Sequence, residues 1–205
     1  MQLPIDIETV KGFLDSQEGE ALFHLAHEAS QLGPVLEVGS YCGKSTLYLA
    51  AGCHDQSMTV FAVDHHQGSE EHQPGEEYHD ASLFDSGAGL MDSFKAFRHN
   101  VRAAGFDDTV VPVVAPSAVA ARHWHTPLGM VFIDGGHAFE TALTDYRSWA
   151  SHIVPGGILA IHDIYPDPNE GGQAPFDILK LAVASGMFEE IDRVKSLGVL
   201  RRIPG

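Results

Sequence analysis

Short apolar runs alternate along the chain with longer segments whose apolar residues recur at helical spacing. The residues Asp15 to Glu18 fit a capping box, and the periodic segment that follows predicts a helix ending near Gly33. The apolar run Val35 to Val38 predicts a strand. The next segment predicts a helix from Lys44 to Ala51 that Gly52 stops. The order near the start of the chain is therefore helix, strand, glycine turn, helix.

The same alternation continues to the end of the chain. Further strands are predicted at Thr59 to Val63, Thr109 to Val114, Met130 to Ile133, Ile158 to Ile161, Phe188 to Val194 and Leu197 to Ile203. Further helices are predicted at Phe94 to Ala104, Ala118 to Trp124, Phe139 to Ala150 and Phe176 to Ala184. Pro155-Gly156-Gly157 is expected to stop the third of these. Such alternation predicts an α/β fold with a mostly parallel, seven-stranded sheet and helices on both faces. The last two strands have no helix between them and must form an antiparallel hairpin.

One segment, residues 65–92, interrupts this alternation. The 205 residues are predicted to form one domain, 1–205, because chains of this length usually have a single core. Within it, residues 65–92 are rich in His, Glu, Asp and Gly and have no apolar period. Long loops of this kind are often functional, and this one begins where a strand ends. We interpret it as a lid over the ligand site; the alternative is a surface loop.

The charge balance narrows the choice of partners. The formal net charge is −16 with neutral histidines, and the basic residues are scattered. Nucleic acids and anionic membranes are bound through basic stripes, so both are disfavoured as partners. No run of ~18 apolar residues predicts a membrane span, and the first residues do not resemble a secretory leader. Two cysteines, Cys42 and Cys53, do not make a disulfide framework, so a cytoplasmic location is expected.

The stretch Val35 to Ala50 carries the first chemical signal. Glu37 lies in the predicted strand, and a turn bounded by Gly39 and Gly43 precedes the helix. Glycines let a backbone approach a ligand closely, and a helix N-terminus presents unpaired N–H groups. This order predicts a nucleotide-type pocket. The pattern E-x-G-x-x-x-G lacks the third glycine of a dinucleotide fingerprint.

The same stretch resembles motif I of class I S-adenosylmethionine-dependent methyltransferases, most closely the version of the catechol O-methyltransferase branch. The segment from Ile133 to Asp163 is similar to a bacterial branch that modifies natural-product sugars and small phenols. The resemblance covers roughly Val35 to Arg202. It implies a Rossmann-like fold and S-adenosylmethionine as the cofactor.

Motif I implies residues that would hold the methionine part of the cofactor. Glu37 would help to hold the amino group, Ser45 would hydrogen-bond the carboxylate, and Tyr41 would pack against this part. The other turn residues assigned to the cofactor are Gly39, Ser40 and Gly43. The alternative is an ordinary strand–helix turn in which Ser45 is a capping serine.

Asp64 ends the next apolar strand and is the second acidic residue of the predicted pocket. A carboxylate there can accept hydrogen bonds from both ribose hydroxyls, although nicotinamide-binding folds place an acid at the same point. The resemblance implies that His65 lies near the adenine and that Ser117 closes the adenine pocket. For Ser117 the alternative is a helix N-cap.

Two further aspartates follow apolar strands. Asp134 ends the sequence VFID and Asp163 follows AIH one strand later. Two carboxylates on adjacent strand ends can share Mg²⁺, which would orient an acceptor oxygen and favour its deprotonated form. The resemblance implies this role for both. It also implies an asparagine directly after the second aspartate, where this chain has Ile164, so Asn169 or an acid of the 65–92 segment would have to replace that ligand. The alternative is that both aspartates only accept hydrogen bonds.

His137 follows Asp134 by three residues, where the catechol branch has a lysine base. Imidazole is the commonest general base, so His137 is the predicted base, with a helix cap as the alternative. His162 is a weaker metal or substrate candidate, because strand alternation could turn it to the opposite face from Asp163. A transition-metal site in the 65–92 segment is less favoured than a solvated loop. Its candidate ligands are His65, His66, Glu70, Glu71, His72, Glu76, Glu77, His79 and Asp80.

These residues together predict an S-adenosylmethionine-dependent methyltransferase acting on a small molecule, most simply at an oxygen. In this hypothesis the catalytic residues are His137, Asp134 and Asp163, and Asp134 also faces the cofactor. The expected partners are a small-molecule acceptor and, as an open possibility, a second copy of the chain. Two other classes stay open: a nicotinamide-dependent oxidoreductase, and a non-catalytic protein that binds metal or ligand through the 65–92 segment.

Overall fold

The computed structural model describes residues 3–69, 73, 75, 76 and 79–204. Four of the candidate ligands in the 65–92 segment therefore lie outside the described residues: Glu70, Glu71, His72 and Glu77. None of the described helices is both long enough and apolar enough to cross a bilayer.

The described part of the chain contains nine strands and six α-helices. The strands are β1 (Val35–Val38), β2 (Val60–Asp64), β3 (Phe84–Asp85), β4 (Leu90–Met91), β5 (Val110–Val114), β6 (Leu128–Ile133), β7 (Ile153–Ile161), β8 (Phe188–Val194) and β9 (Leu197–Arg202). The helices are α1 (Ser16–Ala29), α2 (Lys44–His54), α3 (Phe94–Ala103), α4 (Ser117–Ala121), α5 (Phe139–Trp149) and α6 (Ala174–Ala184).

Seven strands form one sheet in the order β5-β2-β1-β6-β7-β9-β8. The first five pair in parallel, whereas β9 runs antiparallel to both β7 and β8. The expected fold is thus confirmed, including the C-terminal hairpin. The strand order reverses direction between β1 and β6, and ligands of such sheets bind at the carboxyl ends of the strands beside this reversal.

Strand alternation divides the core between the two faces of the sheet. Helices α1, α2 and α3 bury one face, where Val35, Phe132 and Ala160 point. Helices α5 and α6 bury the other face, where Leu36, Ile133 and Ile161 point. Successive side chains of a strand point to opposite faces of the sheet, and each face is covered by its own helices. The same alternation applies to the residues at the strand ends.

Two glycine-based boundaries were wrong. Gly52 does not stop α2, which continues to His54. A Cβ on Gly52 would lie 2.4 Å from the carbonyl oxygen of Phe23, so the glycine permits close packing of α2 on α1. Likewise Pro155-Gly156-Gly157 lies inside β7, where the pairing with β6 shifts register. Both segments use glycine for a close approach or a bulge instead of a helix end.

The described part of the 65–92 segment contains a short 3₁₀ turn (Ala81–Leu83) and the small β3–β4 ribbon. Leu83 and Met91 pack with Cys42 of the glycine turn. Asp80 forms an ion pair with Lys11 of the N-terminal segment. The segment is therefore attached both to the turn after β1 and to the residues before α1. Its role as a lid stays a prediction.

The packing of α2 on α1 generates a stability prediction. Gly52→Ala should lower the free energy of unfolding by about 1–3 kcal/mol, because the added methyl group forces the two helices apart. Urea denaturation followed by circular dichroism measures this. Gly172→Ala is the control, since a Cβ there meets no atom within 4 Å. Equal stability of the two variants would contradict the packing role of Gly52.

Candidate active site

A cavity of about 970 Å³ lies at the carboxyl ends of the parallel strands. It is lined by residues following β1, β2, β5, β6 and β7, so one space joins the predicted cofactor and acceptor regions. The predicted site residues that line it are Gly39, Ser40, Tyr41, Ser45, Asp64, His65, Ser117, Asp134, His137 and Asp163. Two predicted cofactor residues, Glu37 and Gly43, are not part of this lining.

The turn after β1 forms one wall of the cavity. A Cβ on Gly39 would lie 2.1 Å from the carbonyl oxygen of Asp134, and Gly39 has a φ of +88°. Only glycine therefore lets this turn approach the end of β6. The next residue, Ser40, is 2% exposed, and its hydroxyl has no hydrogen-bond partner among the described residues. A buried hydroxyl on a cavity wall fits a polar ligand, since buried polar groups are normally paired.

Glu37 lies behind this wall, on the face of the sheet that α2 covers. Its carboxylate accepts hydrogen bonds from Ser45 Oγ at 2.5 Å and from Thr46 Oγ1. Burial raises the pKa of Glu37 to about 8, although the two hydroxyl donors oppose the rise. The structure thus shows Glu37 fixing the first turn of α2, and the hydroxyl of Ser45 is engaged in that contact.

Asp64 holds the turn and the start of the 65–92 segment together. Its Oδ2 accepts from the backbone N–H of Tyr41 at 2.8 Å, and its Oδ1 accepts from that of His66 at 2.7 Å. Tyr41 and His66 have positive φ angles of 47° and 59°, an unusual conformation for such residues that these bonds help to hold. Each carboxylate oxygen keeps acceptor capacity for a ligand in the cavity.

Ser117 belongs to a polar chain at the β5 side of the cavity. It is not an N-cap, because Pro116 caps α4. Its Oγ accepts a hydrogen bond from Trp149 Nε1 at 2.8 Å. The buried Asp145, which also lines the cavity, has its pKa raised to about 6 by burial, while a hydrogen bond with Ser117 lowers it. His65 is exposed at the same end of the cavity.

His162 is surrounded by three carboxylates. Its Nδ1 lies 3.0 Å from Asp134 Oδ1 and 3.3 Å from Asp163 Oδ2, and its Nε2 lies 3.0 Å from Glu18 Oε2. Burial opposes protonation of this imidazole, but the charge of Asp134 and hydrogen bonds to all three carboxylates raise its pKa far above the usual range. The negative charge of these carboxylates can be balanced either by a protonated His162 or by a metal ion.

Strand register explains why His162 joins Asp134. Phe132 pairs with Ala160 and Ile133 with Ile161, so the next residues along, Asp134 and His162, lie side by side on one face. Asp163 comes one residue later and would point to the opposite face. Its φ of +58°, in the left-handed region, turns the chain so that its carboxylate returns to His162. The expected pair of aspartates is thus a trio with His162 between them.

His137 lies at the outer edge of this trio. Its Nε2 is 2.7 Å from Asp163 Oδ2, and 38% of its side chain is exposed. It does not cap α5, whose N-cap is Ala138 without a side-chain hydrogen bond. Burial of Asp163 would raise its pKa, but hydrogen bonds from His137 and His162 hold it well below the usual range. Asp163 therefore stays charged and orients the His137 ring.

Sequence reasoning missed Glu18, which it placed only in a capping box. That box is present, with Glu18 Oε2 accepting from the backbone N–H of Asp15 at 3.3 Å. The same side chain is 3% exposed, lines the cavity, and accepts from Ser196 N and Oγ at 2.9 and 2.7 Å. Burial would raise its pKa, but His162 and Ser196 lower it. No local pattern could show these contacts with residues far along the chain.

The donor atoms of the trio suit a divalent cation. One nitrogen and two carboxylate oxygens, from His162, Asp134 and Asp163, lie within 4.8 Å of one another. Ile164, where an asparagine ligand was considered, is 2% exposed and packs in the core. Asn169 hydrogen-bonds Asp167 instead. Among the described residues, the third possible protein ligand is thus His162, the residue before Asp163. The acids Glu70, Glu71 and Glu77 of the 65–92 segment lie outside the described residues.

Comparisons with known proteins identify the family and the fold. Residues 36–164 match the model of a family described as a methyltransferase domain, and the chain belongs to that family. The fold is also that of cofactor-bound Rv0187 from MTB, 18% identical with a TM-score of 0.68 over 96% of this chain and 85% of that one. The O-methyltransferase NovP is 16% identical, with a TM-score of 0.70 over 92% and 80% of the two chains. An O-methyltransferase from Bacillus cereus, in complex with SAH, is 16% identical with a TM-score of 0.64 over 94% and 83%. The fold is therefore that of class I S-adenosylmethionine-dependent methyltransferases, as the sequence predicted.

The buried state of Glu37 predicts a pH-dependent stability. Its pKa is raised from 4.5 in the unfolded chain to about 8 in the folded one, so this contribution to stability is present below pH 4.5 and lost as the pH rises to about 8. Glu37→Gln has no proton to lose. Its free energy of unfolding relative to wild type should increase through that window by up to about 1.4 kcal/mol per pH unit. Urea titrations at several pH values test this, with exposed Glu20→Gln as the control. A difference independent of pH would contradict it.

The position of Asp64 predicts a loss of cofactor affinity on substitution. Asp64→Ala removes a charged acceptor from the cavity wall and should weaken S-adenosylhomocysteine binding by about 1.5–3 kcal/mol in isothermal titration. The matched control is Asp85→Ala. Asp85 also accepts two backbone N–H groups, those of Gly87 and Ala88, but does not line the cavity. Unchanged affinity in folded Asp64→Ala protein would remove Asp64 from the cofactor site.

Proposed function

We propose that this protein transfers the methyl group of S-adenosylmethionine to an oxygen of a small-molecule acceptor. The observation that carries the proposal is the placement of an oriented histidine, His137 on Asp163, in the same cavity as the turn after β1 and Asp64. One end of the cavity supplies contacts for a nucleoside and amino acid, and the other supplies a base. Membership of a methyltransferase family supports the same reading.

The cofactor would lie along the strand ends from β1 to β5. Its ribose would bind the Asp64 carboxylate, and its methionine part would lie against the turn, where the buried Ser40 hydroxyl offers a hydrogen bond. His65 and Ser117 would border the adenine. Glu37 would contribute by holding the first turn of α2, whose N–H groups favour a carboxylate. When bound, S-adenosylmethionine supplies a methyl group with its leaving group attached.

His137 would remove the acceptor proton. The Asp163 carboxylate only accepts hydrogen bonds, so the His137 nitrogen at 2.7 Å from it, Nε2, carries a proton. The His137 imidazole, oriented by this hydrogen bond, would take the proton of the acceptor hydroxyl. Asp163 holds the ring in this tautomer and stabilises the imidazolium that forms. The same arrangement positions the acceptor oxygen for in-line attack, the main contribution that a protein makes to such a transfer.

Asp134 and Asp163 would also hold a divalent cation, for which the sequence resemblance implies Mg²⁺. A cation there would favour the deprotonated acceptor oxygen and orient it. The cavity is also lined by Tyr165, Pro166 and Glu170, and by Phe13 and Leu14 of the N-terminal segment. Aromatic and apolar groups beside a few polar ones suit a phenolic acceptor of small size.

Binding and turnover experiments separate this function from its rivals. Isothermal titration should show binding of S-adenosylhomocysteine and none of NADH. Incubation with S-adenosylmethionine and a panel of catechols and hydroxycinnamates should release S-adenosylhomocysteine and yield a product with a new methoxy group. Binding of NADH alone would favour an oxidoreductase. Methylation of nitrogen or carbon would keep the methyl transfer but overturn the choice of oxygen.

The proposed base gives a prediction for turnover. His137→Ala should lower kcat by ~10²–10⁴-fold, the usual contribution of a general base, and leave S-adenosylhomocysteine affinity nearly intact. For a phenolic acceptor, raising the pH should restore part of the rate, because solvent then supplies the phenolate. His123→Ala is the control, since His123 is exposed and lies outside the cavity lining. Near-normal turnover of His137→Ala across the pH range would exclude His137 as the base.

A further inference from the structure

The trio at the acceptor end mixes one nitrogen with two oxygens. His162 Nδ1 lies 3.0 Å from Asp134 Oδ1 and 3.3 Å from Asp163 Oδ2. Ligand atoms in neighbouring positions of an octahedral ion with bonds of about 2.1 Å are separated by about 3.0 Å. Two of the three donor pairs therefore have the spacing of neighbouring ligands, and all three donor atoms lie within 4.8 Å of one another.

The far side of the His162 ring has the environment of a ligand histidine. A histidine that binds a metal through one nitrogen almost always donates its other N–H to a carboxylate or carbonyl. Here Nε2 lies 3.0 Å from Glu18 Oε2, in a buried contact. Glu18 is itself fixed by Ser196, which donates to its Oε1 from both N and Oγ. With an ion bound, Glu18 would keep the ring proton on Nε2 and leave Nδ1, beside Asp134 and Asp163, as the ligand atom.

The chemistry of these donors selects among ions. Mg²⁺ binds oxygen ligands almost exclusively, whereas imidazole suits transition ions. Carboxylate oxygens suit both classes, so only the nitrogen discriminates. A site in which His162 takes the place of an oxygen ligand should bind Mg²⁺ less well than a transition ion, because imidazole nitrogen is the softer ligand.

We propose that the cation of this site is a first-row transition ion, bound by Asp134 Oδ1, His162 Nδ1 and Asp163 Oδ2 in preference to Mg²⁺. The inference rests on the proposed function, since the trio faces the part of the cavity assigned to the acceptor. It replaces Mg²⁺ by an ion that His162 can ligate, and it assigns Glu18 as the positioning residue of that ligand.

The test uses the full chain, treated with a chelator and dialysed. Isothermal titration with Mn²⁺ and with Mg²⁺ should show one site with tighter binding of Mn²⁺. Pulsed electron paramagnetic resonance of the Mn²⁺-loaded protein should show coupling to a ¹⁴N nucleus. The coupling should persist in His137→Ala, which removes the other histidine next to Asp163.

Variants of the trio and of Glu18 sharpen the result. His162→Asp gives an all-oxygen set, so it should lose the ¹⁴N coupling and bring the Mn²⁺ to Mg²⁺ affinity ratio toward unity. Glu18→Gln should keep the coupling but weaken Mn²⁺ binding by ~10–100-fold, the usual effect of removing the carboxylate behind a ligand histidine. If His162→Asp fails to fold, the wild-type and His137→Ala spectra decide the assignment.

Three outcomes would overturn the proposal: no Mn²⁺ binding at millimolar concentration, equal affinity for Mg²⁺, or Mn²⁺ binding without ¹⁴N coupling. The first would leave His162 as a protonated link between carboxylates. Titration of S-adenosylhomocysteine into the same preparations distinguishes this from a failure of the proposed function. Its binding tests the cofactor site on the other side of the cavity and needs no ion.

Discussion

The contact between His162 and Glu18 is the interaction on which the site depends. Through it, the first turn of α1 is bound to the end of β7, and Ser196 adds the turn between β8 and β9. Asp134 brings in β6 on the other side of the ring. Buried charges are stable only when they are paired and hydrogen-bonded. Removing one of these side chains would leave the others as unpaired buried charges and destabilise the fold. Distant segments are thereby fixed around one imidazole at the cavity floor.

Backbone strain is placed where this arrangement needs it. Tyr41, His66 and Asp163 all have positive φ angles, and all three lie at the carboxyl edge of the sheet. Asp64 holds the first two by accepting hydrogen bonds from their backbone N–H groups, and the contact with His162 holds Asp163. Conformations of this kind cost about 1–3 kcal/mol each and persist only when surrounding contacts impose them. Tyr41 and Asp163 line the cavity, whereas the His66 ring is buried beside Ser93.

The fold and the side chains at its strand ends make separate contributions to function. A class I methyltransferase sheet explains where a cofactor binds, but the same sheet serves many acceptors. The cavity is also lined by residues from outside the sheet, including Lys11 and Phe13 before α1. Lys11 is paired with Asp80, so the N-terminal segment and the 65–92 segment meet beside the cavity that Lys11 lines. Exposed ion pairs add little stability. The Lys11–Asp80 pair therefore contributes mainly by joining the two segments.

The sequence by itself determined the strand and helix order, the C-terminal hairpin and the position of the cavity, because these follow from local periodicity and from the rule that parallel strands share one carboxyl edge. It also placed Asp64, Asp134 and Asp163 at that edge, since each lies at or just after the end of an apolar strand, and the family resemblance added His137. Tertiary structure alone decided the rest. Gly52 reads as a helix stop, but its lack of a side chain serves packing between α1 and α2. His162 and Glu18 meet only because register places Asp134 beside His162 and α1 covers that face, contacts between residues far apart in the chain that no local pattern encodes.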